Sequence, residues 1–183
     1  MGHRLSRITT RTGDGGETGL ADGQRLTKDH PRVHALGEVD ELNACIGLIT
    51  AEALSGAVSA QLQWVQQRLF DLGGELCLPG QTLLAADTAD QLEAWLEAMN
   101  AALPPLKEFI LPGGNRACAA THLARTVARR AERCLVGLGH AESVTPGALS
   151  FINRLSDYLF VLARHLNADP ATELSWSPPP RPR

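Results

Sequence analysis

The sequence is short of several things at once, and each shortage removes a class of protein. Of its 183 residues only 4% are aromatic, and fifteen of the seventeen basic residues are arginine, so lysine is almost absent. Seventeen basic against twenty acidic residues leave a formal charge of −3, which argues against a globally basic nucleic-acid binder. No stretch approaches the ~20 apolar residues that span a bilayer. Met1-Gly2-His3-Arg4 lacks the apolar run of a secretory signal. The four cysteines (Cys45, Cys77, Cys118, Cys134) show no CxxC spacing and sit in apolar stretches; reduced, buried thiols in a cytoplasmic protein are the expectation. No segment alternates with period two for long enough to demand a strand. Aliphatic residues are plentiful: 44% of the chain is apolar, which excludes a disordered chain and fits one domain with a sizeable core.

What is present is helical. Pro31, Pro79, Pro104, Pro105, Pro112, Pro146 and Pro170 separate long proline-free segments, and Pro178, Pro179, Pro180 and Pro182 mark a tail. Leu62, Val65, Leu69, Leu72 and Leu76 recur at spacings of three and four, as do Ala117, Thr121, Ala124, Ala128, Ala131, Leu135 and Leu138, and again Ile152, Leu155, Leu159, Leu162 and Leu166. These are the stripes of amphipathic helices packed at shallow crossing angles. A first helix is expected from Pro31 to about Leu54, with Leu36, Val39, Leu42, Ile46 and Ile49 inward. A shorter third, about Thr88 to Leu103, carries Leu92, Trp95, Leu96 and Met99 and opens on a Thr88-x-x-Gln91 capping box. Thr145 and Pro146 suit the start of the fifth; Gly137 and Gly139 suit the end of the fourth. The expectation is an all-α fold, a five-helix, ferritin-like up-and-down bundle forming one domain over residues 1–174, with a disordered proline-rich tail over 175–183.

Two connections do not fit a plain bundle. Residues 9–27 form a polar loop holding Gly13, Gly15, Gly16, Gly19 and Gly23. Glycines let backbone N–H groups approach an anion closely, and Thr10, Arg11 and Thr12 add donors. No glycine–lysine–Ser/Thr triplet follows, so this is not a Walker A loop; a turn-rich loop and an anion cradle both remain open. The other connection, Pro104 to Gly114, is apolar around Leu106, Phe109, Ile110 and Leu111, where loops are usually polar.

The fourth helix carries the strongest chemical pattern. With Arg125 at zero on a helical wheel, Arg129 falls at about 40° and Arg133 at about 80°, with Glu132 at about −20° and His122 at about 60°. The apolar seam centres near about −80°, and Arg130 stands apart at about 140°. Arg125, Arg129 and Arg133 thus form a stripe flanking the core. Like charges at i, i+4 repel, so the stripe calls for anionic partners, either interhelical carboxylates or a polyphosphate. On the fifth helix Asn153, Asp157, Phe160 and Arg164 recur beside the seam; Asn153 and Asp157 can bond a ribose or adenine edge, or pair with neighbouring arginines. In the first helix Glu38, Asp40, Glu41 and Asn43 sit among apolar residues, and Asp40 can pair with an arginine across a helix or subunit contact. Metal readings fare poorly. No paired Glu-x-x-His motifs of a di-iron bundle occur, and the His30, His34, Glu38 spacing starts at a helix cap and reads as chance.

Together these residues resemble a known family. Arg7-Ile8 leading into Thr10-Arg11-Thr12-Gly13-Asp14, then Lys28-Asp29 and Gly37 to Asn43, are similar to the N-terminal half of the PduO-type ATP:cob(I)alamin adenosyltransferases. Phe109 to Gly114, Ala124-Arg125-Thr126, Arg129 to Arg133 and Phe151 to Phe160 resemble its later motifs, in the family's order, over about residues 7–167. The resemblance implies a five-helix bundle assembling as a homotrimer with ATP between subunits, residues 1–30 forming an ATP-binding segment. It implies attack by the Co(I) of a reduced corrinoid, cob(I)alamin, on C5′ of ATP, assisted by Mg²⁺. Thr10, Arg11, Thr12, Gly13, Asp14, Thr18 and Lys28 match ATP-binding positions, as do Arg129, Arg130, Glu132, Arg133 and Asn153. Arg125 matches an arginine pairing with Asp40 on the adjacent subunit. Phe109 matches the aromatic residue facing the corrinoid, with Ile110 and Leu111 as further wall. Arg129, Arg133 and Phe109 are thereby the expected catalytic residues. Gly15 stands where many members carry lysine. A reductase supplying Co(I), and an adenosylcobalamin-dependent acceptor enzyme, are the implied partners; neither nucleic acid nor membrane is. The alternative is a non-catalytic ATP-binding corrinoid carrier or nucleotide sensor on the same bundle, which would release no triphosphate.

Overall fold

Four of the five helices begin where a side chain closes the first turn. The computed structural model describes residues 9–167 and 173–179; Arg7-Ile8, Pro170 and the end of the tail, residues 180–183, lie outside these. Helix α1 (Pro31–Thr50) starts on His30, whose Nδ1 accepts from the Arg32 N–H. Helix α2 (Gly56–Cys77) is capped by Ser55, α4 (Arg116–Gly139) by Asn115 and α5 (Pro146–Leu166) by Thr145. Each hydroxyl or amide oxygen satisfies an N–H that the helix itself leaves unbonded. Helix α3 (Thr88–Asn100) differs from the capping-box expectation: Asp87 holds the cap position without a side-chain bond, while the Thr88 hydroxyl donates to the Ala85 carbonyl at 2.6 Å. Both α1 and α3 also end about a turn earlier than their apolar patterns suggest, because the last apolar residues continue into turns beyond the helix.

The helices run side by side in the order α2, α1, α4, α5, α3. The seams read from the sequence form the core: Leu62, Val65, Leu69, Leu72 and Leu76 of α2 meet Val39, Leu42, Ile46 and Ile49 of α1, and Leu135 and Leu138 of α4 join Ile152, Leu155, Leu159 and Leu162 of α5. Each such side chain removed from water contributes about 2 kcal/mol. Leu36, Ala117 and Leu166, expected inward, are only half-buried at the margins. Three of the aromatics cluster where Trp95 of α3 meets Trp64 edge-on at 5.1 Å and lies 6.2 Å from Tyr158. All four cysteines are free: Cys45 and Cys118 are buried, Cys77 and Cys134 half-buried, and burial pushes every thiol up.

Two buried polar groups lock the far end of the bundle. Arg32 donates to the Leu76 carbonyl at 3.0 Å and to Glu142 at 2.8 Å, tying α1 to the end of α2 and to the α4–α5 turn. Glu75 accepts from the N–H groups of Leu83 and Leu84 at 2.8 Å and from the Thr145 hydroxyl at 2.7 Å. The polar N-terminal loop contains what its period did not announce: a two-stranded antiparallel hairpin, β1 (Glu17–Gly19) and β2 (Arg25–Thr27), with Thr18 opposite Leu26. Three-residue strands are too short to show an alternation. No helix among the described residues is long and apolar enough to cross a membrane.

Candidate active site

The hairpin organises the residues read as an anion cradle. Gly16 N–H donates to the Gly13 carbonyl, and Lys28 N–H donates to the Gly16 carbonyl at 2.8 Å, closing a tight loop. Gly16 sits at φ +86, a conformation that favours a residue without Cβ. A Cβ on Gly13 would lie 3.3 Å from Lys28 Nζ, so the missing side chain lets the ammonium lie against the loop backbone. Arg25 braces the loop from behind, donating to the Thr12 carbonyl at 2.9 Å and to Glu17 at 3.2 Å. Thr10 and Thr12 share a hydroxyl hydrogen bond at 2.9 Å. Arg11, exposed, is at φ 59, the one non-glycine residue at positive φ among the described residues, a backbone state that costs of order 1 kcal/mol or more and commonly marks a ligand-binding segment. Asp14 and Lys28 are both exposed.

Beside the hairpin lies a cleft of about 700 Å³ between α1 and α2. Thr18 and Asp40 line it, with Leu36, Val39, Phe70 and Gly73. Asp40 is exposed and has no hydrogen-bond or ion-pair partner among the described residues.

The arginine stripe occupies a different face. Arg125 is half-buried, its guanidinium 5.9 Å from the centre of the Phe160 ring and its Nε without a hydrogen-bond partner. Burial, and then Arg129, lower its affinity for its proton. Arg129 is exposed and unpaired among the described residues. Arg133 donates only to the Arg129 carbonyl at 3.0 Å. Among the described residues no carboxylate meets any of the three, so the salt-bridge network left open by the sequence does not form among them. Three guanidinium groups about 6 Å apart along the axis repel one another until an anion spans them. Beside them Glu132 accepts from the Asn153 amide at 2.8 Å, joining α4 to α5 on this face.

Arg130 stands apart from that stripe. Its guanidinium is held by both Glu38 and Glu41 of α1, which raises its pKa far above the ordinary value. Its charge is already satisfied, on the face turned away from the stripe. Asp157 is a second departure, pairing with Arg154 of its own helix at 3.1 Å rather than with a neighbouring helix. His30, at the α1 cap, lies 3.6 Å from Glu142, and among the described residues no group of three His, Cys, Asp or Glu could hold a metal ion.

The apolar connection pairs with the chain's C-terminal segment. Leu111 N–H donates to the Leu174 carbonyl and Trp176 N–H to the Phe109 carbonyl, each at 2.7 Å, around an antiparallel bridge between Ile110 and Ser175. Ser175, where the expected tail begins, is thus tied to Ile110 by an isolated bridge. In this register Phe109 faces Trp176 and Leu111 faces Leu174, so all four lie on one side of the ribbon. That side is open: Phe109 is 78% exposed and Leu174 69%. Ile110 lies on the opposite side, half-buried, lining a cavity of about 80 Å³ with Cys118, His122 and Glu173. Leu111 and Leu174 border this cavity as well, while Phe109 and Trp176 do not. Leu174 and Trp176 are exposed beside Phe109, and a leucine and a tryptophan within an otherwise proline-rich tail were the sequence signal for them.

No hydrogen bond or ion pair among the described residues joins the hairpin to α4 or α5; Ala21 N–H donates to the Cys77 carbonyl of α2 at 3.1 Å, and the α1 cap His30 N–H donates to the Thr27 carbonyl at 3.0 Å. The residues expected to bind ATP are thus divided between two faces of one chain.

Residues 8–166 match the family of cobalamin adenosyltransferases. A cobalamin adenosyltransferase of Cupriavidus metallidurans is 56% identical over 178 residues, covering 96% of this chain and 97% of that protein. A corrinoid adenosyltransferase of Bacillus subtilis is 44% identical, over 88% of this chain and 87% of its own. A solved PduO-type ATP:corrinoid adenosyltransferase from Lactobacillus reuteri, a phenylalanine-to-alanine variant complexed with cobalamin and ATP, is similar with a TM-score of 0.87 at 37% identity, over 93% of this chain and 99% of that one.

Proposed function

This chain belongs to the cobalamin adenosyltransferase family, and on that footing we propose how its residues divide the work. The enzyme transfers the 5′-deoxyadenosyl group of ATP to the Co(I) of a reduced corrinoid. A cobalt–carbon bond forms at C5′, the C5′–oxygen bond breaks, and its electron pair leaves with triphosphate. The observation that carries the assignment of residues is the stripe of three guanidinium groups without a carboxylate. As triphosphate departs, charge builds on its oxygens, and preorganised donors in that position stabilise it. Arg129 and Arg133 do this, with Lys28 and the N–H groups of the Thr10–Asp14 loop on the other side of the phosphates. Asn153, steadied by Glu132, orients the nucleoside so that C5′ faces cobalt, and positioning of this kind supplies much of a rate. Mg²⁺ arrives with ATP. Glu132 would be the acidic group at hand to hold the ion, which would offset charge on the phosphates.

Phe109 and Leu111 face the lower side of the corrin and exclude water and the axial base, which makes the cobalt easier to reduce. The divided half-sites join when one copy's α1–α2 edge meets another's α4–α5 face, as a homotrimer allows. Asp40 then reaches Arg125 of the next subunit, giving each of two unpaired charges its partner. Free, half-buried thiols suit a cytoplasmic setting, where a reductase supplies Co(I) and an adenosylcobalamin-dependent enzyme takes the product.

Purified protein with ATP, Mg²⁺ and chemically reduced cobalamin should form adenosylcobalamin and release one triphosphate for each. Arg129→Ala should lower turnover by about a hundredfold or more with the helical spectrum unchanged. ATP binding without triphosphate release would instead establish a carrier or sensor, and near-normal turnover of the variant would remove Arg129 from its role.

A further inference from the structure

The strand carrying Phe109 is held by a buried ion pair that the reaction itself does not use. Arg164, in the last turn of α5, is 4% exposed, and such a charge is retained in a protein interior only when its donors are met. Its Nε donates to Glu173 at 3.1 Å, and its Nη2 donates to the Pro104 carbonyl at 2.8 Å. Pro104 opens the apolar connection. Glu173 immediately precedes Leu174, the first residue to bond that connection's Phe109–Leu111 stretch. One guanidinium therefore grips the loop at its root and the tail at the point where it becomes the loop's partner strand. Beneath the ribbon, the cavity is lined by Ile110, His122 and Glu173 among others, and His122 Nδ1 is buried there without a hydrogen-bond partner. The ribbon itself contributes two 2.7 Å backbone bonds, and a two-strand ribbon of this length is marginal on its own.

We propose that Arg164 and Glu173 form a latch that docks residues 174–176 beside Phe109 and thereby sets the height and angle of the corrinoid-facing wall. Both are positioning residues, since neither lies on the ribbon's open side. The inference rests on the corrinoid reading of that wall made above. The latch acts on the corrinoid half of the reaction alone, because the arginine stripe and the hairpin share no hydrogen bond or ion pair with Arg164 or Glu173 among the described residues.

Two variants and two readouts test it. Glu173→Gln removes the charge, and Trp176→Pro removes the N–H that bonds Phe109 while leaving the ion pair intact. In both, the Leu111 amide should exchange with deuterium about tenfold faster than in the wild type, while amides of the α4 core stay unchanged. In steady state both should raise the corrinoid KM or lower kcat by about tenfold, with the KM for ATP held within about twofold. Unchanged exchange in Glu173→Gln overturns the latch. Faster exchange with unchanged corrinoid kinetics overturns its role in positioning, as does an equal rise in the KM for ATP. A wild type that makes no adenosylcobalamin would refute the proposed function and the positioning role with it, while the exchange comparison would still decide whether the latch exists.

Discussion

Arg129 and Arg130 are chain neighbours with opposite fates, and about 100° of helical rotation separates them. Arg130 is turned to α1 and two carboxylates; Arg129 is turned to open solvent and none. The wheel drawn from the sequence already set Arg130 aside, but only the packing of α1 on α4 showed what it meets. His122 was legible only as a position near the stripe. In the fold it is buried at 4% exposure, and burial first, then Arg125, hold its imidazole below the ordinary 6.5, while Glu173 pulls the other way. The folded state therefore resists protonation of this side chain. The resulting penalty is absent above pH 6.5 and grows as the pH falls below it. Stability measured by urea unfolding should decline between about pH 7 and pH 5, and His122→Gln should remove one proton's share of that slope. Identical slopes for variant and wild type would show that His122 titrates alike in both states.

At the scale of the element, the caps decide where helices start, and one residue serves two of them. Asn115 accepts from the Cys118 N–H at 2.9 Å, closing the first turn of α4. Its amide donates to the Leu166 carbonyl at 2.6 Å, closing the last turn of α5. Asn115→Ala should cost about 1–2 kcal/mol and lower Tm by roughly 3–6 °C in a thermal melt; a shift under a degree would mean that water replaces both bonds freely. The helical seams were legible because a buried stripe every 3.6 residues leaves its mark on composition. The hairpin left none, since three residues cannot express an alternation. The Thr88-x-x-Gln91 pattern misled for a related reason: Thr88 found a closer acceptor in the Ala85 carbonyl, so the cap moved back to Asp87.

For the whole molecule, the decisive feature is that the hairpin with Lys28 and the stripe with Arg129 lie on different faces of one chain. If ATP bridges two copies, Lys28→Ala and Arg129→Ala preparations, each nearly inactive, should complement when unfolded and refolded together. Random mixing leaves about a quarter of the interfaces with both halves intact, so roughly a quarter of wild-type turnover should return. Mixed preparations no more active than either parent would place the two halves within one subunit's site.

The sequence alone determined the class of fold, the helical seams and the chemistry of the stripe. Each of these is written in local spacing: a 3.6-residue period, a proline or a capping residue at a boundary, arginines four apart. It also carried the ordered motifs by which the family was recognised. Tertiary structure alone decided which charges are met and which are left open, because neutralisation of Arg130 depends on α1, far away in the chain. It alone decided that Ile110 turns inward while Leu174 and Trp176 join Phe109, because strand pairing across some sixty residues leaves no periodic trace in either partner. The excess of arginine had two explanations in the sequence. The fold separates them: Arg32 and Arg164 fasten segments from within, while Arg125, Arg129 and Arg133 meet no carboxylate among the described residues.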